Sequence, residues 1–97
     1  MKLIVGLGNP GYEYEKTRHN AGFLLIDELC GKLNVSLDKN KCRAIYGIYR
    51  YNGEKIIIAK PQTFMNLSGE CIGQIVHYYR IDPEKELIVL YDDISLE

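Results

Sequence analysis

The sequence predicts an α/β domain, a mixed β-sheet with helices packed on its faces. Two short unbroken runs, Lys2-Leu3-Ile4-Val5 and Leu87-Ile88-Val89-Leu90-Tyr91, read as strands covered on both sides, because neither alternates between apolar and polar residues. Between Arg43 and Lys60, Tyr and Ile crowd two arms around Asn52-Gly53, the two-residue signal of a type I′ hairpin. Apolar residues recur at helical spacing in two further stretches. The predicted order is strand, helix, hairpin, helix, strand.

In the first helical stretch Ala21, Leu24, Leu25, Glu28, Leu29 and Leu33 keep helical spacing, with Asn20 as N-cap and Gly31 and Asn34 as stop signals. Residues 12–18 lack that period and read as a loop. Lys39-Asn40-Lys41-Cys42-Arg43 is the nearest approach to a basic patch and reads as a solvated loop. The arm Lys55-Ile56-Ile57-Ile58-Ala59 ends at Pro61, which cannot donate to a ladder. Ser68 is placed to cap a second helix, in which Ile72, Ile75, Val76 and Tyr79 share one face and which Asp82-Pro83 terminates. Two helices against four strands leave sheet surface to cover, and the domain reads as incomplete.

Ninety-seven residues allow one domain at most. A net charge of -1 gives no whole-chain attraction to nucleic acid or to an anionic membrane. Cys30, Cys42 and Cys71 are odd in number and share no Cys-x-x-Cys spacing, which argues against a disulfide framework or a zinc site and for a reduced, cytoplasmic setting. The first apolar run is too short for a signal segment, and no stretch approaches the roughly 20 apolar residues of a membrane span.

Three polar segments follow strand-like runs: the loop Gly6-Leu7-Gly8-Asn9-Pro10-Gly11, the segment Thr63-Phe64-Met65-Asn66-Leu67-Ser68-Gly69, and Asp92-Asp93. Three polar loops at strand ends suggest one site. Gly6-x-Gly8-x-x-Gly11 matches the dinucleotide fingerprint, but the periodic helix begins only near Asn20, and Asp27, the acid at suitable distance, falls inside that helix. Glu13 and Glu15 would also set negative charge beside a phosphate.

His19 stands at a helix start between Arg18 and Asn20. An imidazole titrating near neutrality suits a general base that takes a proton from water, and Asp92 could fix its tautomer and stabilise the imidazolium. Asn66 offers an amide that donates to a carbonyl and accepts from an N–H, which suits an amide or ester substrate better than a phosphate. No Gly-x-Ser-x-Gly elbow is present, so water is the expected nucleophile. His77 reads as a helix-surface residue.

These residues make the chain resemble the bacterial peptidyl-tRNA hydrolase family along its whole length. Lys2 to Gly11 is similar to that family's opening strand and loop, and Thr17-Arg18-His19-Asn20-Ala21-Gly22 to its histidine motif. Lys60-Pro61-Gln62-Thr63-Phe64-Met65-Asn66-Leu67-Ser68-Gly69 is similar to its central signature, and Asp92-Asp93 to its aspartate motif. The resemblance implies hydrolysis of the ester between a peptide and the 3′ ribose of tRNA, recycling tRNA in translation. His19 would be the base, Asp92 its orienting carboxylate, and Asn9 a partner of the water or scissile carbonyl. Tyr14, Phe64, Met65 and Asn66 would bind the substrate, with no metal or organic cofactor.

Family members continue past this point, so residues 1–97 resemble the N-terminal portion of a single domain. The surface left by the missing portion is expected to drive self-association. Two other readings stay open from sequence, a nucleotide-binding module on the Gly6–Gly11 loop and a non-catalytic fragment kept for partner contacts.

Overall fold

The structure, a computed structural model, describes residues 1–8, 21–63 and 67–90. Five strands and two helices follow in the order β1 (Lys2–Gly6), α1 (Ala21–Leu33), β2 (Lys39–Lys41), β3 (Ala44–Tyr51), β4 (Glu54–Pro61), α2 (Ser68–Tyr79) and β5 (Leu87–Leu90). They form one sheet of order β2-β3-β4-β1-β5. β1 is parallel to β4 on one side and to β5 on the other, whereas β2, β3 and β4 form an antiparallel meander. The predicted mixed α/β architecture is the observed one.

The two faces of the sheet carry separate cores. Leu3 and Val5 of β1 join Ile57 and Ala59 of β4 and Cys71 and Ile75 of α2 on one face. Ile58 of β4 joins Ile26 and Cys30 of α1 on the other, with Ile4, Ile56 and Leu90 packed alongside. Successive strand residues point to opposite faces, so this division is the period-two consequence of an uninterrupted apolar strand between two helices. Burial raises the thiol pKa of Cys30, and it pushes that of Cys71 up to about 11. All three cysteines are free.

The β3–β4 hairpin turns at Asn52 (φ 52°) and Gly53 (φ 82°), as the type I′ signal predicts. A second hairpin was not expected. Lys39-Asn40-Lys41 forms the edge strand β2 rather than a solvated loop, and it turns into β3 through Cys42 (φ 59°) and Arg43 (φ 62°). Both turn residues adopt the left-handed conformation without the Asn or Gly that normally announces it. The backbone carbonyl of Arg43 in turn accepts from the Gln62 amide at 2.7 Å, tying this turn to the end of β4.

Three further expectations are corrected. Gly31 does not stop α1, which runs on to Leu33 and ends where Asn34 turns left-handed (φ 60°) and the Val35 amide donates to the Cys30 carbonyl. The buried face of α1 is Gly22, Phe23, Ile26 and Cys30, while Leu24 and Leu25 are 47% and 49% exposed. Ser68 is not the cap of α2 but its first helical residue. The N-cap is Leu67, whose side chain makes no capping hydrogen bond. The same helix ends at Tyr79, ahead of Asp82-Pro83, with Arg80 left-handed and the Ile81 amide donating to the Val76 carbonyl. Last, β5 is a sheet edge rather than a fully buried strand, and Ile88 is 49% exposed.

On the α2 face, the hydroxyls of Tyr46 and Tyr79 hydrogen-bond at 2.7 Å, and burial, then this bond, raises the Tyr79 pKa. At the N-terminal end of the parallel strands, the Met1 ammonium lies 3.1 Å from Glu54 and 3.6 Å from Glu86. The hydrogen bond from that ammonium is the main reason the Glu54 carboxyl lies below its ordinary range, whereas Glu86 is lowered chiefly by the Asp82 amide.

Candidate active site

β1, β4 and β5 run in parallel, so their C-terminal ends lie along one rim of the sheet. The helix after β1 packs on one face and the helix after β4 on the other. Adjacent parallel strands whose following helices leave for opposite faces create a crevice beyond their carboxyl ends, where ligands of open α/β sheets bind. Each predicted site segment joins the described chain at this rim. Residues 9–20 follow Gly8 and precede Ala21, residues 64–66 follow Thr63 and precede Leu67, and residues 91–97 follow Leu90. His19, Asp92, Asn9, Tyr14, Phe64, Met65 and Asn66 themselves lie outside the described residues.

The attachment points are held to one another by short contacts. The Leu7 amide donates to the Leu90 carbonyl at 2.8 Å, continuing the β1–β5 ladder past the end of β1. α1 starts directly over this junction. A Cβ on Gly22 would fall on the carbonyl oxygens of Leu7 and Leu90, and one on Gly6 would fall on the Gly22 carbonyl and Ile26. Two facing glycines therefore let the helix backbone touch the strand ends that lead to residues 9 and 91. The motif Ala21-Gly22 beside His19 has a packing reason as well as a sequence signature.

β4 is fastened to the same helix by Lys60. Its ammonium lies 2.8 Å from the Asp27 carboxylate and 5.0 Å from the centre of the Phe23 ring, with the lysine side chain 15% exposed and the aspartate 55%. Phe23 and Asp27 are one helical turn apart, so both present to the same cation. The acid considered for a ribose contact is thus engaged inside α1 with a lysine. Sequence reading did not single out this clamp, because the partners are 33 residues apart.

One more feature of the rim went unread. Thr63 is 7% exposed, and its hydroxyl oxygen is buried without a hydrogen-bond partner. Among the described residues no group of three or more His, Cys, Asp and Glu is placed to hold a metal ion. His77 is exposed on α2, as expected.

A sequence model of the family described as peptidyl-tRNA hydrolase matches residues 3–97. The chain belongs to that family. It is 57% identical over 97 residues to the peptidyl-tRNA hydrolase of Alkaliphilus metalliredigens, covering all of this chain and 52% of that protein. To the peptidyl-tRNA hydrolase of Fusobacterium nucleatum it is 51% identical over 96 residues, covering 99% of this chain and 50% of the relative. The fold superimposes on the crystal structure of peptidyl-tRNA hydrolase from Acinetobacter baumannii with a TM-score of 0.90 at 37% identity, over 100% of this chain and 50% of that one. The chain spans about half the length of the curated relatives it matches. Among the described residues, no helix is long and apolar enough to cross a membrane.

Proposed function

We propose that this chain carries hydrolytic machinery for peptidyl-tRNA, with residues 1–97 forming the N-terminal portion of a single hydrolase domain that acts in the cytoplasm. The supporting observation is the shared rim: three parallel strands and the start of α1 bring the attachment points of residues 9–20, 64–66 and 91–97 to one crevice. In this reading His19 takes a proton from water, which attacks the ester carbonyl, and Asp92 stabilises the imidazolium that results. The tetrahedral intermediate collapses with expulsion of the 3′ ribose oxygen, which recovers the proton. Asn9 holds the water or the carbonyl. Asn66, with Tyr14, Phe64 and Met65, binds the peptide portion.

Turnover of an N-acetylaminoacyl-tRNA tests the assignment. Replacing His19 with Ala is expected to lower kcat by about 10²–10⁴-fold, the usual contribution of a positioned general base. Equal rates for the two proteins would remove the hydrolase reading.

The β5 edge supports a second proposal, self-association. Among the described residues β5 has one ladder partner, and Ile88 on that strand is half exposed. An open, apolar strand edge is a template for a further strand. Light scattering coupled to size exclusion is expected to show two copies associating, and an Ile88→Lys substitution is expected to return the monomer. A wild-type monomer at all concentrations would contradict it.

A further inference from the structure

Thr63 follows the end of β4 by two residues and immediately precedes the segment of Phe64, Met65 and Asn66. Its neighbour Gln62 is tethered twice, by its amide to the Arg43 carbonyl at 2.7 Å and by its side-chain Nε2 to the Lys60 carbonyl at 3.1 Å. A fixed strand end therefore holds a threonine that is more than nine-tenths buried, and its hydroxyl has no partner. Removing a hydroxyl from water without replacing its hydrogen bonds is unfavourable, and native chains rarely retain such a group without a use for it. Valine has the same shape and would avoid the penalty at this position.

The geometry points to Thr63 as a substrate-binding residue whose Oγ1–H donates to a carbonyl oxygen of the peptide part of the substrate. This rests on the hydrolase reading above. A neutral acceptor suits the place. The cation nearest in sequence, Lys60, is already committed to Asp27 and Phe23, so nothing described there would neutralise a buried phosphate. The free chain bears an unmet hydrogen bond, and bound peptide supplies it.

The assignment requires stability and binding to move in opposite directions, which a structural hydroxyl would not do. In the 97-residue chain, Thr63→Val is expected to leave the urea midpoint unchanged or higher. The same change should weaken binding of N-acetylaminoacyl-tRNA at least 10-fold, read by filter retention, with deacylated tRNA binding unaltered. Thr63→Ser, which keeps the donor, should bind the ester within about 3-fold of wild type. A lower midpoint in the valine variant overturns the proposal, since the hydroxyl would then serve the fold or a structural water. Unchanged ester binding by that variant overturns it as well, and leaves the hydrolase reading standing if His19→Ala is inactive. A wild-type chain that neither binds nor cleaves the ester overturns both.

Discussion

Gly22 shows how one missing methyl group organises the rim. Its backbone lies against Leu7 and Leu90, so an alanine side chain would be driven into two carbonyl oxygens that cannot move without breaking the β1–β5 ladder. Gly31, two turns further along the same helix, has open space where a Cβ would go. Opposite outcomes are expected from the same substitution. Gly22→Ala should lower stability by about 1–3 kcal/mol, the usual range for overpacking. Gly31→Ala should raise it by about 0.4–1 kcal/mol, because the unfolded chain loses freedom and the folded one loses nothing. Urea denaturation of the two variants checks both signs. Sequence alone read Gly31 as a helix stop and left Gly22 without a role, since both letters look alike until the neighbour across the sheet is known.

At the scale of elements, period and turn chemistry were legible and long-range pairing was not. The hairpin at Asn52-Gly53, both helices and the two apolar strands follow from local signals. β2 escaped because Lys-Asn-Lys has no strand propensity and its turn uses Cys42 and Arg43 where glycine or asparagine is customary. The face of α1 was misread because leucine is not a marker of depth. Gly22 must face the strands, and Ile26 and Cys30 follow it inward while Leu24 and Leu25 turn out to solvent. The functional segments were readable from motifs because they are contiguous in sequence. Lys60 was not, because its role depends on a helix 33 residues earlier. Its Asp27 contact is half exposed, and surface pairs contribute little alone, but the ring of Phe23 beneath the ammonium adds a second attraction. Lys60→Met is accordingly expected to cost about 1 kcal/mol. Hydrogen exchange should rise first at the amides of Phe23 to Asp27, while those near Leu33 stay protected. Uniform loss along the helix would contradict a local clamp.

For the molecule as a whole, the sheet divides its labour between two ends and two borders. The rim at the carboxyl ends of the parallel strands gathers the segments that carry the proposed chemistry, and the Met1, Glu54 and Glu86 cluster closes the opposite end. The borders differ in kind. β2 ends the sheet with two exposed lysines on a three-residue strand, whereas β5 ends it with Ile88. Charge on a short outer strand repels further pairing, so one flank is guarded and the other is receptive. Growth by strand addition therefore has a single direction, and two copies joined through it exhaust the available flank. Light scattering should accordingly plateau at twice the chain mass as concentration rises. A filament would need the lysine-bearing border to accept a neighbour, and its ammonium groups make that border a terminus.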